Sequence, residues 1–188
     1  MRAFIALELP QTTILRLQRE IADLRGACGR ASWVRPEHMH LTLRFLGEIS
    51  EEQKSALSQS MRQLCTGVPP MRLAVEGLGA FPNTRRPAVV WAGIRQVAGD
   101  LSVLQNGVER VARELGLDPD DKPFHPHVTL ARIRDVSASA GLVAMVHHRV
   151  LAAPAAYGDE FRARAVALFR SDLKPGGPVY TRIEEFSL

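Results

Sequence analysis

Apolar residues at Ile14, Leu17, Ile21 and Leu24 recur at intervals of three and four, the spacing of one helix face. They follow an apolar run, Phe4 to Leu9, that reads as an opening strand, and Gly26 and Gly29 end the helix. From His38 to Ile49 the pattern is that of a strand. Ser50 with Gln53 three positions later then matches a helix cap with its capping-box partner, and the helix it starts buries Leu57, Met61 and Leu64. Pro69-Pro70 breaks the chain before two predicted strands, 71–78 and 87–95, around a polar, proline-bounded loop at 81–87. Leu101, Leu104, Val108, Val111 and Leu115 repeat at three, four, three and four and mark a further helix. A loop at 118–123 leads to a strand at 127–130. A short helix near 137–147 and strands at about 161–170 and 178–186, with a turn at 174–178, complete the pattern.

The chain's 188 residues make one domain or two small lobes, and no Gly- or Ser-rich linker separates independent units. No stretch approaches the ~20 apolar residues that span a membrane. The opening run is too short and too soon interrupted by Pro10 for a signal peptide. Cys28 and Cys65 lack metal-ligand or CxxC spacing and suit a reducing cytosol. The net charge of +4 favours anionic partners modestly. Apart from Lys54, Lys122 and Lys174 every basic side chain is arginine, whose fork suits phosphate. The charge permits RNA without demonstrating it.

Chemistry concentrates in a repeated tetrapeptide, His40-Leu41-Thr42-Leu43 and His127-Val128-Thr129-Leu130. Two such matches arise by chance in roughly one of a few thousand chains of this composition. In a strand, His and Thr two positions apart share a face, roughly 6.6 Å from one another. The copies are 87 positions apart, and each is followed by a predicted helix, which suggests a duplicated α+β unit. Zinc would suit His125 and His127, but no HExxH, cysteine or third histidine stands at ligand spacing. A GxSxG elbow and a P-loop are absent from the sequence. Acid–base work at phosphorus fits better. One imidazole can be neutral and the other protonated at working pH, on opposite sides of a phosphodiester. The threonine hydroxyls could steady its non-bridging oxygens.

The segments His40-Leu41-Thr42-Leu43-Arg44-Phe45-Leu46-Gly47 and Pro123-Phe124-His125-Pro126-His127-Val128-Thr129-Leu130-Ala131-Arg132 resemble the paired signatures of the 2H phosphoesterase superfamily. Phe4-Ile5-Ala6-Leu7, Leu168-Phe169-Arg170-Ser171-Asp172-Leu173 and Gly177-Pro178-Val179-Tyr180 extend the likeness to its RNA 2′,3′-cyclic phosphodiesterases, also called 2′-5′ RNA ligases. The resemblance implies a single α+β domain over 1–188. It would be bilobal, with two pseudo-symmetric lobes of mainly antiparallel sheet, outer helices and a central cleft carrying both His-x-Thr-Leu strands. It implies a cytoplasmic, monomeric hydrolase that needs no metal or other cofactor. That enzyme would convert RNA or nucleotide 2′,3′-cyclic phosphates to 2′-phosphates, and with a 5′-hydroxyl replacing water it would ligate tRNA halves reversibly by a 2′-5′ bond. A module that only binds RNA ends is the alternative.

The same resemblance makes His40 the proton donor, His127 the acceptor, and Thr42, Thr129 and Arg132 the phosphate contacts; the sequence itself does not separate acid from base. Strict alternation sets Arg132 on the face opposite His127 and Thr129, so it needs a bend or bulge to join them, whereas Arg44 shares parity with His40 and Thr42. His38 and His125 are expected at the rim or in loops, and His147 and His148 at a helix end. Trp33 and Phe81 could stack a base or fill the core.

Overall fold

The computed structural model describes residues 1–26, 30–151, 156–175 and 177–188. Cys28 and Gly29, and Gly176 of the expected turn, lie outside them. The chain runs through β1 (Arg2–Glu8), α1 (Gln11–Arg25), β2 (Ser32–Trp33), β3 (His40–Glu48), α2 (Glu51–Thr66), β4 (Arg72–Phe81) and β5 (Val89–Ala98). It continues through α3 (Leu101–Glu114), β6 (His127–Arg132), α4 (Ala140–Leu151), β7 (Ala156–Arg162), β8 (Ala165–Lys174) and β9 (Gly177–Ser187). Short 3-10 turns at Pro36–His38 and Ser137–Ser139 precede β3 and α4.

The capping box at α2 forms as its sequence demands: Ser50 Oγ accepts from Gln53 N at 3.1 Å, and Gln53 Oε1 accepts from Ser50 N at 3.0 Å. Asp100 caps α3 by accepting from Ser102 N. Two readings of the pattern are corrected, and one short strand is added. The strand expected over 161–170 is two, β7 and β8. β7 is an edge strand whose sequence, Ala-Tyr-Gly-Asp-Glu-Phe-Arg, has no apolar alternation to betray it. His38 closes a 3-10 turn rather than opening the strand, because Pro36 starts a turn there. β2 has only two residues, too few to show a period.

All strand pairs are antiparallel and form one nine-stranded sheet, in the order β7-β4-β5-β6-β3-β1-β8-β9, with β2 beside β6. The two motif strands are therefore central neighbours. Around them the chain repeats itself as strand, helix, motif strand, helix: β1-α1-β3-α2, then β5-α3-β6-α4. β1 and β5 begin 87 positions apart, as β3 and β6 do. The single pair joining β3 to β6 is Leu41↔Val128, and those residues are themselves mates at that offset. When mates pair antiparallel with each other, a local two-fold axis passes between them.

One core lies on one face of the sheet. Ile5, Leu7, Leu41, Leu43, Val128 and Leu130 pack there with Leu17 and Ile21 of α1, Leu57 and Met61 of α2, Leu104 and Val108 of α3, and Leu142 and Val146 of α4. The free cysteine Cys65 is buried in it. Phe4, although buried, stays outside that cluster and belongs to the opposite face. That uncovered face holds the histidines.

Candidate active site

Leu41 and Leu43, and Val128 and Leu130, point into the helix-covered core, so His40, Thr42, His127 and Thr129 point to the open face, each half-buried. Extending the Leu41↔Val128 register by one residue each way sets His40 across from Thr129 and Thr42 across from His127. The histidines are then diagonal neighbours with Cα atoms roughly 7–8 Å apart. Four groups able to donate or accept protons thus surround one small space.

Both strands then break alternation at the same place. Against β1, Thr42 pairs with Ala6 and Arg44 with Ile5, leaving Leu43 over; against β5, Thr129 pairs with Trp91 and Ala131 with Val90, leaving Leu130 over. Leu43 and Leu130 are mates, so each motif strand carries the same β-bulge. The bulge reverses the face of everything after it. Leu130 and Ala131 are consecutive core residues, and Arg132 returns exposed to the histidine face. The Arg132 charge reaches both neighbours: it helps to lower the His127 pKa, and it partly offsets the rise that burial imposes on the Tyr180 hydroxyl. The bend that Arg132 needed is present. The same reversal removes Arg44 from the site. It is buried on the helix side, with Nε 2.6 Å from Glu109 of α3, Nη1 3.7 Å from Asp120, and a hydrogen bond to the Asp118 carbonyl. Phe45, the mate of Arg132, takes its place on the open face, where it is 56% exposed.

Each imidazole rests among aromatic rings. His40 stacks on Phe4 at 4.8 Å and meets the edge of Tyr180 at 5.4 Å; Phe169 stacks on Phe4 at 5.2 Å. His127 meets Phe81 edge-on at 5.1 Å and Trp91 at 5.8 Å. Phe4 and Trp91 are mates at the 87-residue offset, so the floor is duplicated along with the histidines. Phe4 pairs with Phe45, and His40 with Glu8, well apart along β1 and β3, yet their rings touch; the sheet curls toward this face. Gly79 makes room for Trp91, since a Cβ there would lie 2.1 Å from the indole carbons. Gly79→Ala is expected to displace the indole and cost about 1–3 kcal/mol, read by urea unfolding. An unchanged midpoint would mean the ring is not seated there.

The rings are also fixed in orientation. His127 Nδ1–H donates to the His125 carbonyl at 2.6 Å, which leaves Nε2 as the ring's acceptor for a substrate. His40 makes the equivalent bond to the backbone of His38. Burial pulls the His40 pKa from 6.5 down to about 4, helped by the charges of His38 and His127 and opposed by that backbone bond. His127 is lowered as well, by burial first and then by the charges of His125 and Arg132.

A histidine whose folded pKa is depressed contributes stability that is complete above pH 6.5 and lost as the pH falls toward 4. For His40 that loss is expected to be about 3 kcal/mol. Urea unfolding at pH 7 and pH 4.5 checks it: His40→Gln should lose much less stability on acidification than the unaltered protein. Parallel losses would rule out burial of His40 as the cause.

The remaining candidates fall into place. Trp33 pairs with Ala131, a core residue, and so lies on the helix side. There it sits under Arg25 at 5.5 Å and lines a cavity of about 380 Å³ with Ile21 and Met39. It is not a stacking platform for the histidine face; Phe81 is on that face. His38 packs against Tyr180 at 4.7 Å, and His125 lies 5.9 Å from Phe81, both at the margin. His147 and His148 are in α4, and His147 Nδ1 is 2.8 Å from Thr84 Oγ1. Among the described residues no three His, Cys, Asp or Glu side chains converge as a metal cage would require. The aromatic floor is the part that the motif did not reveal. Its duplication shows in the sequence as the offset of the motif itself, which Phe4 and Trp91 keep.

The family model described as LigT like phosphoesterase matches the chain twice in tandem, over residues 7–91 and 93–180, with one His-x-Thr-Leu copy in each match. The chain belongs to this family. A Thermus thermophilus protein named RNA 2′,3′-cyclic phosphodiesterase is 36% identical, with 100% of this chain and 90% of that protein covered. One of the same name from Aquifex aeolicus is 34% identical, covering 92% and 88%. Among solved structures, TT0787 of Thermus thermophilus superposes with a TM-score of 0.83 at 34% identity, covering 100% of this chain and 98% of that one. E. coli LigT complexed with 3′-AMP does so with a TM-score of 0.77 at 29% identity, covering 100% and 97%. The duplicated match and the duplicated strand–helix unit describe one repeat.

Proposed function

We propose that this phosphoesterase hydrolyses terminal 2′,3′-cyclic phosphates of RNA, or of nucleotides, to 2′-phosphomonoesters. The observation that carries the reading is the pairing of mates at Leu41↔Val128; extending that register sets His40 toward Thr129 and Thr42 toward His127. A phosphate seated on that axis has an imidazole on either side, as in-line displacement requires. His127, with Nδ1 occupied by the His125 carbonyl, takes a proton from water through Nε2 as the water oxygen bonds to phosphorus. The bond from phosphorus to the 3′ oxygen breaks, and His40 protonates that oxygen. Thr42 and Thr129 donate to the non-bridging oxygens, and Arg132 balances the charge that builds on them. Named relatives support the substrate, and E. coli LigT was crystallised with 3′-AMP and with phosphate. With a 5′-hydroxyl in place of water as the nucleophile, the same groups would join tRNA halves by a 2′-5′ bond, again with departure of the 3′ oxygen.

Both imidazoles are held below 6.5 in the free protein, so His40 takes up its proton beside the bound phosphate, whose negative charge favours the imidazolium. This has a kinetic signature. The profile of kcat/KM, which reports the free enzyme, is expected to peak below pH 6.5 and fall about tenfold per pH unit above the His127 value. The profile of kcat is expected to fall at higher pH. A kcat/KM flat to pH 8 would contradict the protonation scheme.

The reading needs no metal and no organic cofactor. Turnover of a 2′,3′-cyclic nucleotide after exhaustive EDTA treatment tests it: undiminished activity supports two-histidine catalysis, and abolition reversed by a divalent ion overturns it. No described helix is long and apolar enough to cross a membrane. We place the chain in the cytoplasm as one domain, acting as a monomer.

A further inference from the structure

The arginines of this chain divide by their partners. Arg44, Arg62, Arg72, Arg95, Arg113, Arg149, Arg170 and Arg182 each stand within 4 Å of a carboxylate. At the end of β6 they do not. Arg132, on the histidine face, and Arg134, just past the end of the strand, are both exposed there, with Ile133 between them buried in the core. The 81–87 loop is bound alongside. Ile133 N donates to the Ala88 carbonyl at 2.9 Å, and Ala88 N donates to the Phe81 carbonyl at 2.7 Å. Asn83 Oδ1 accepts from the backbone N–H of both Arg85 and Arg86 at 3.0 Å, which fixes the turn and leaves both side chains exposed. Thr84 fastens the loop to His147 of α4. None of Arg85, Arg86, Arg132 and Arg134 is ion-paired among the described residues.

We infer that the RNA strand leaving the reactive end runs from Arg132 over Arg134 to Arg86 and Arg85, which hold its phosphodiesters. Arg132 and Arg134 are two residues apart, a reach of at most about 7 Å, close to the spacing of successive phosphates in an extended strand. The Ile133–Ala88 hydrogen bond, just past Val89↔Arg132, holds the 81–87 loop beside this end of β6, so Arg86 and Arg85 carry the line onward over the loop. Guanidinium forks without carboxylate partners are free for phosphate. A mononucleotide would touch only the first of them, so the line selects for polymer length. The inference rests on the reading above for where the strand ends.

Binding, read apart from turnover, tests it. The probe is a fluorescent ten-nucleotide single-stranded RNA ending in a 2′,3′-cyclic phosphate, titrated by anisotropy at several salt concentrations. The triple variant Arg85→Ala, Arg86→Ala, Arg134→Ala is expected to bind at least tenfold more weakly at low salt. Its slope of log affinity against log salt should shrink by about 2, the amount for three lost phosphate contacts on a single strand. A charge-matched triple, Arg19→Ala, Arg110→Ala, Arg164→Ala, changes exposed arginines elsewhere and is expected to leave both quantities nearly unchanged. Equal weakening by the two triples would show attraction by net charge alone and overturn the track, as would no weakening by the first. Failure of the hydrolysis reading would appear separately, as cyclic-phosphate RNA that the unaltered protein binds and leaves intact.

Discussion

Replacing either His40 or His127 with alanine is expected to lower kcat on a 2′,3′-cyclic nucleotide by about 10²–10⁴-fold, with the fold intact. In the proposed mechanism each ring serves one side of the phosphorus, and among the described residues no other imidazole on the open face has a threonine across the strand pair to replace it. His38 and His125 lie at the margin, against Tyr180 and Phe81. The two losses should not add, because removing one proton-transfer group already abandons the concerted path. The pair can be told apart with a substrate whose 3′ oxygen is replaced by sulfur, a leaving group that departs without a proton. That change should restore His40→Ala much more than His127→Ala. Neutral burial also predicts that His40→Ala remains folded at pH 5. Either variant retaining activity within threefold of the unaltered protein would remove that histidine from the chemistry.

The second large effect separates two arginines by the face they occupy. Arg132→Ala is expected to lower kcat/KM about 10²–10³-fold, the usual cost of losing a donor to a charge-bearing transition state. It should leave unfolding nearly unchanged, because the side chain is exposed. Arg44→Ala should do the reverse. It strips Glu109 of a buried partner at 2.6 Å and unties the 118–120 loop, costing about 2–4 kcal/mol in stability, while Arg113 retains part of the interaction at 2.7 Å. Activity per folded molecule should persist. Steady-state kinetics and urea unfolding on both variants decide the matter, and exchanged outcomes would mean that the bulges at Leu43 and Leu130 do not reverse the strand faces.

That contrast also marks where the sequence stops being legible. Period and capping placed α1, α2 and α3, because each carries an apolar stripe that the core uses. The His-x-Thr-Leu copies announced the site, since short polar residues recurring inside apolar strands have no packing reason to match. Parity along an ideal strand, however, sorted Arg44 and Arg132 onto the wrong faces. Nothing in Leu43 or Leu130 marks a bulge: it arises from how β3 and β6 pair with β1 and β5, far away in the chain. The β7 edge escaped for the complementary reason, having no apolar alternation in its sequence to show. Trp33 looked free to stack a base only until its pairing with Ala131 turned it toward the core. The 87-residue offset was visible in the motif, but its meaning was not. Only the pairing of Leu41 with Val128 shows that the repeat meets itself on a two-fold axis.

Product identity tests the central claim most directly. RNA ending in a 2′,3′-cyclic phosphate is incubated with the protein, digested to nucleosides and end nucleotides, and separated by chromatography against 2′- and 3′-phosphate standards. Departure of the 3′ oxygen with the proton from His40 should give the 2′-phosphate alone. A 3′-phosphate product, or RNA recovered with its cyclic end intact, would contradict the arrangement of acid, base and phosphate described for this face.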